Sequence, residues 1–123
     1  MIKLLNVEKI YYSAAKPVYA LRNINLDIHQ GEIFGIVGQS GAGKSSLIRC
    51  INLLERPSKG QICINGLELT ALDASALRAV RRQIGMIFQQ FNLLSAKTVY
   101  ENIALPLKFA HYPPSKIHAT IIP

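Results

Sequence analysis

Eight consecutive residues, Gly38-Gln39-Ser40-Gly41-Ala42-Gly43-Lys44-Ser45, constrain this chain more than any other stretch of it. They fit G-x-x-x-x-G-K-S/T without a substitution, the spelling of a phosphate-binding loop. Just before them, residues 32–37 (Glu-Ile-Phe-Gly-Ile-Val) read as a strand buried on both faces; just after them, residues 46–54 carry apolar side chains at helical spacing. Strand, loop and helix in that order is the context such a loop requires. With glycine near 7% of residues, the four fixed positions match by accident in under about one percent of chains of this length. A Rossmann dinucleotide loop fits worse, because Ser46 stands where its third glycine or alanine belongs.

The chemistry explains the spelling. A loop can hold a polyphosphate only if backbone N–H groups turn inward around it, which brings the main chain close to the anion. Glycine at 38, 41 and 43 removes the Cβ atoms that would stand in the way, while Gln39, Ser40 and Ala42 complete the cradle. The helix opening at Gly43 aims unpaired N–H groups and the positive end of its dipole at the same place. Lys44 is spaced to reach the β- and γ-phosphates of a triphosphate, Ser45 to ligate the bridging Mg²⁺, and Ser46 to add a contact to the α-phosphate.

At 123 residues, half of them hydrophobic, the chain is the size of one domain with a moderate core and is no disordered tail. No apolar run approaches the roughly 18 residues that cross a bilayer, and Asn6, Glu8 and Lys9 interrupt the N-terminus before a signal-peptide core could form, so a soluble cytoplasmic chain is expected. Cys50 and Cys63 lack metal-ligand spacing and read as small core residues. His29, His111 and His118 stand apart from one another and from any acidic or cysteine cluster, and read as surface residues. A net charge of +7 suits a polyanionic partner. The basic residues are nevertheless scattered, Arg81-Arg82 is their only adjacent pair, and no aromatic residues alternate with them, so a nucleic-acid groove is not expected.

Taken in order, residues 1–12 and 18–28 are two β-rich runs joined by the turn Ser13-Ala14-Ala15-Lys16-Pro17, an antiparallel hairpin leading through Gln30-Gly31 into the loop strand. After the loop helix, Glu55-Arg56-Pro57-Ser58-Lys59-Gly60 breaks the pattern. Residues 61–64 resume as a strand, Asn65-Gly66 predicts a tight hairpin, and residues 68–70 are its return. Asp73 or Ser75 can cap a helix running to Arg82. Residues 83–88 read as a second buried strand; residues 99–109 are helix-like apart from Pro106, and the segment from Pro113 to Pro123 begins like a helix.

These residues resemble the nucleotide-binding subunits of ABC transporters. The resemblance runs through the G-Q-S-G-A-G-K-S loop, the E-R-P-S-K-G turn, the I-N-G hairpin and the strand entering Phe88-Gln89, and weakens after about Lys108. Within the family it is strongest toward the subunits of bacterial methionine importers, through residues 45–57 and 81–89. It implies an α/β fold, a P-loop NTPase core with an N-terminal antiparallel β subdomain, of which residues 1–123 are the N-terminal part. It implies MgATP as the cofactor, and catalytic roles for Lys44 and Gln89. Gln89 falls on the glutamine that touches Mg²⁺ or the attacking water; a polar amide directly after a buried strand end also sits where parallel sheets bind ligands. Tyr11 falls on the aromatic that stacks on adenine, with Tyr12 the competitor, because alternation does not say which face either ring occupies. The implied partners are a transmembrane permease and a second ATP-binding subunit closing head to tail, and the implied place is the cytoplasmic face of the bacterial inner membrane. The family's L-S-G-G-Q signature, its strand ending in Asp-Glu and its switch histidine are not in these 123 residues. A truncated binding remnant without catalysis is the second expectation.

Overall fold

The computed structural model describes residues 1–14 and 16–122; Ala15 and Pro123, named above in the first turn and the last segment, lie outside the described residues. Two compact units divide the chain, Met1–Ile84 and Gly85–Pro123.

The first unit is built on a four-stranded antiparallel sheet. β1 (Ile2–Tyr11) pairs with β2 (Val18–Ile28) on one side and with β3 (Lys59–Ile64) on the other, and β4 (Leu67–Glu68) closes the order β2-β1-β3-β4. The imperfect alternation of the first strand has a physical cause. Asn6 adopts φ +49° at an irregularity in the ladder, which reverses side-chain parity and lets Leu4 and Val7, three apart, both enter the core. Asn23, at φ +48°, has the same effect between Leu21 and Ile24. The two irregularities are stitched together, since Asn25 accepts from the Asn6 N–H at 2.9 Å and donates to the Asn23 carbonyl at 3.2 Å.

Asn65 and Gly66 carry φ of +50° and +81°, the signature of a primed two-residue turn, and set Cys63 opposite Glu68 and Ile64 opposite Leu67. The expected return over residues 68–70 is shorter than the sequence suggests. β4 ends at Glu68, and Leu69–Ala71 coils into one 3₁₀ turn that buries Leu69. β3, in turn, starts two residues before the expected position. Gly60, at φ +87°, lies so close to β1 that a Cβ there would sit 2.4 Å from the Asn6 carbonyl oxygen.

α1 (Lys44–Ile51) lays Leu47 and Cys50 on this sheet, joining Leu4, Val7, Leu21, Leu53, Ile62, Leu69 and Leu77 in the core. α2 (Ala74–Arg81) contributes Leu77 and starts at Asp73, whose Oδ1 accepts from the N–H groups of Ser75 and Ala76, both at 2.8 Å. In the second unit, α3 (Val99–Phe109) begins with a complete capping box. Thr98 Oγ1 accepts from the Glu101 N–H, and Glu101 Oε2 accepts from the Thr98 N–H. Pro106 is accommodated inside this helix, and α4 (Pro114–Ile121) follows, with the rings of Tyr100 and His118 6.2 Å apart.

Two expected strands are not formed. Residues 32–37 and 83–88 have apolar strand spelling, yet neither has a ladder partner among the described residues, and both are irregular. A strand exists only as one side of a pair, and β-forming side chains cannot substitute for a neighbouring N–H and C=O. Nor are these stretches buried on both faces as expected. Ile36 packs against the core, while Ile33, Val37 and Ile87 are 100%, 94% and 99% exposed. The 123-residue chain should therefore bind a hydrophobic dye and self-associate at micromolar concentration. A sharp cooperative melt from a monodisperse, dye-free monomer would refute this.

Candidate functional site

The loop takes shape from three glycines with three different reasons. Gly41 has φ +80° in open space, a dihedral that alone favours glycine. Gly38 faces the Ala42 methyl, which an added Cβ would meet at 3.3 Å. Gly43 combines φ +90° with contact against β2, where a Cβ would lie 2.3 Å from the Ala20 carbonyl oxygen. Besides clearing the approach to phosphate, glycine at Gly43 therefore seats the loop on the sheet.

Gly43 is the N-cap of α1, and the helix ladder opens with Leu47 N–H on the Gly43 carbonyl at 2.9 Å. The N–H groups at 43–46 precede the first intrahelical bond, so the helix end is a set of donors suited to an anion. Lys44 Nζ donates to the carbonyl oxygens of Gly38 and Gln39, both at 2.7 Å, which folds the ammonium across the loop it serves. Ser45 is exposed at the second helical position.

Tyr11, the last residue of β1, is brought to this helix. Its hydroxyl is hydrogen-bonded to Glu55 and lies 3.1 Å from Ser46 Oγ, and the Lys9 ammonium sits 5.0 Å from its ring centroid. A phenol has one proton. With that proton donated to the carboxylate, the Ser46 hydroxyl must be the donor to Tyr11, giving a directed chain Ser46 to Tyr11 to Glu55. The Tyr11 hydrogen bond holds the Glu55 carboxyl below its ordinary range, with Arg49 assisting at 3.1 Å and partial burial opposing. Burial and the same carboxylate raise the Tyr11 phenol, so both groups keep these roles at neutral pH. In this arrangement the Ser46 hydroxyl is engaged with Tyr11, and its backbone N–H at the start of α1 is the group suited to an anion.

The two tyrosines separate clearly. Tyr11 is 39% exposed and tied to the loop helix, whereas Tyr12 is 81% exposed. Gln89 lies in the second unit, exposed in a bend, and not at the end of a formed strand. Glu55 was legible only as part of a pattern-breaking turn, because its partner Tyr11 is far away in sequence; a carboxylate directly after the loop helix was the available signal. That turn is held from several sides. Lys9 Nζ donates to the Arg56 carbonyl at 2.8 Å, and the Arg56 guanidinium donates to the carbonyls of Thr70 and Leu72 at 3.1 and 3.0 Å. The Arg81 guanidinium donates to the Asn52 and Leu53 carbonyls at the end of α1. No group of three or more His, Cys, Asp or Glu residues that could hold a metal occurs among the described residues. No helix among them is long and apolar enough to cross a membrane.

Strand hairpin, glycine loop and helix N-terminus together define a P-loop protein of mixed α/β class with an N-terminal antiparallel sheet. The ABC transporter family model matches residues 21–121, and the chain belongs to that family. It is 57% identical over its full length to the methionine import ATP-binding protein MetN of Cupriavidus necator, of which it covers 36%. It is 52% identical over 117 residues to that of Escherichia coli O157:H7, covering 95% of this chain and 34% of the relative. The chain therefore spans about a third of the length of the curated relatives it matches. Among solved structures, the ATP-binding cassette MJ0796, a dimer in a post-hydrolysis state bound to ADP and Pi, superposes with a TM-score of 0.90 at 39% identity, covering 97% of this chain and 53% of that one. CbiO1 from Clostridium perfringens, part of the cbiONQ transporter complex, gives a TM-score of 0.76 at 27% identity, covering 96% and 46%.

Proposed function

We propose that these residues are the N-terminal part of an ABC importer's ATP-binding subunit, which couples ATP binding and hydrolysis to uptake of methionine or another amino acid. The observation that carries this is the phosphate loop itself, with Gly43 seated on the Ala20 carbonyl and the start of α1 aimed outward, in a chain so similar to methionine import ATP-binding proteins along its whole length. The residues fit a nucleotide. Backbone N–H groups of the loop and of the start of α1 take the phosphates, the Lys44 ammonium exchanges its two carbonyl partners for phosphate oxygens, and Tyr11 offers a ring face to adenine. Ser45 would hold Mg²⁺, which neutralises charge on the phosphates when bound; Gln89, in the second unit, keeps the Mg²⁺ or water contact that the resemblance implies. The partners proposed are a transmembrane permease and a second ATP-binding subunit, at the cytoplasmic face of the bacterial inner membrane. Nucleic acid is not among them.

Lys44→Ala tests the reading. Replacing an ammonium that contacts phosphate by charge-assisted hydrogen bonds removes about 1.5–3 kcal/mol, roughly 10- to 150-fold in affinity. Titration of MgATP into dilute chain, below the onset of self-association, should show that loss. Equal affinity of the two chains would sink the nucleotide assignment.

A further inference from the structure

We propose that Glu55 is a positioning residue for adenine recognition, acting through Tyr11: it fixes the tyrosine ring relative to the phosphate loop so that base and phosphates are bound as one rigid unit. This rests on the reading of Tyr11 as the adenine platform.

The geometry points to Glu55 in three ways. Tyr11 ends its strand and keeps 39% of its surface exposed, so backbone pairing alone leaves the ring free to turn about its side-chain bonds. Its hydroxyl, however, bridges the two ends of α1, with Ser46 in the first turn and Glu55 in the turn beyond the last. Glu55 is itself anchored, since its carboxylate takes Arg49 Nη1 at 3.1 Å and its N–H donates to the Arg49 carbonyl at 3.0 Å. The ring therefore moves with the loop helix, and the helix carries Lys44 and Ser45. Lys9, whose ammonium is held by the Arg56 carbonyl, sits over the ring at 5.0 Å and limits its tilt.

A side chain ordered before the ligand arrives need not be ordered at the moment of binding, which is worth about three- to ten-fold in affinity for one rotatable side chain. That gain belongs to the base alone. Inorganic tripolyphosphate, which has the phosphates without adenine, should not feel it.

The experiment measures equilibrium binding of MgATP and of magnesium tripolyphosphate to the full 123-residue chain, immobilised at low density to prevent self-association. Glu55→Ala should weaken ATP binding about three- to ten-fold while changing tripolyphosphate binding less than about two-fold. Glu55→Gln, whose amide oxygen still accepts from the phenol, should recover most of the loss, which a destabilised helix would not. In a Tyr11→Phe background, Glu55→Ala should cost nothing more. Equal losses for ATP and tripolyphosphate, or an undiminished effect of Glu55→Ala on Tyr11→Phe, would overturn the proposal. Tyr11→Ala separates the two layers of the reading. If it weakens ATP while Tyr11→Phe and Glu55→Ala do not, the platform stands and the tether is wrong; if it leaves ATP untouched, the platform reading fails and takes the tether with it.

Discussion

The purified 123-residue chain, supplied with MgATP, is expected to release phosphate no faster than its Lys44→Ala variant. Phosphoryl transfer to water needs a positioned nucleophile and stabilisation of the charge that spreads over the γ-phosphate, and the loop supplies only part of the second. No Asp-Glu strand end occurs in these residues, and Gln89, a neutral amide, cannot take a proton from water. The L-S-G-G-Q signature, which the family places across the nucleotide from the loop of a second subunit, is not among them either. Loss of a general base costs about 10²–10⁴ in rate, and loss of opposing charge stabilisers about 10²–10³ more. Starting from about 1 s⁻¹, the low end of ordinary enzyme rates, the result lies below about 10⁻⁴ s⁻¹. A steady-state phosphate-release assay decides it. Turnover near 1 s⁻¹ and absent from Lys44→Ala would mean that the catalytic groups lie elsewhere in this chain.

Gly43→Ala should be among the most damaging small substitutions in the first unit. The new methyl would require the left-handed dihedral of φ +90° and would meet the Ala20 carbonyl oxygen at 2.3 Å, a backbone atom fixed in β2. An unfavourable dihedral and an overpacked contact cost about 1–3 kcal/mol each, so roughly 2–6 kcal/mol in all, much of what a small unit has. The damage is local, and its readout is amide hydrogen exchange in α1, which should accelerate by at least about 30-fold. Gly41→Ala is the control, since its φ of +80° lies in open space and only the dihedral cost applies. If both substitutions leave exchange in α1 unchanged, the loop is not seated on the sheet through Gly43.

The parts of this chain legible from sequence are those whose causes are local. The turn at Asn65-Gly66 requires two positive φ angles and has them; Asp73 caps α2 through N–H groups of the same turn; the loop's spelling carries its own glycines. What was misread depends on distant partners. Residues 32–37 and 83–88 have the side chains of strands but no ladder partner among the described residues, so hydrophobic spelling alone overstated them. The early start of β3 follows from Gly60 pressing on Asn6, and the value of Glu55 from Tyr11; neither approach is written in the residues that flank it. Gln89 was placed by resemblance and by a strand end that did not form, and its role remains part of the proposal. Tyr11 over Tyr12 was undecidable by alternation because the irregularity at Asn6 shifts strand parity, and the structure ties Tyr11 to the loop helix.

The central place of β1 has a consequence for biosynthesis. The first strand to leave the ribosome finds one neighbour at once, for β1 and β2 are joined by a short turn and hairpins form within about 1–10 μs. Its other neighbour pairs Ile2 with Ile64, and that edge cannot close until the loop, α1 and β3 have all been made. At roughly 5–20 residues per second, the interval from Ile28 to Ile64 lasts about 2–7 s. For that time the nascent hairpin carries an unpaired, apolar-spelled edge, the kind that recruits strands from other chains or a chaperone. When β3 arrives it covers the edge and brings Ile62 to the core that holds Leu47 and Cys50, so the helix behind the glycine loop completes its packing late.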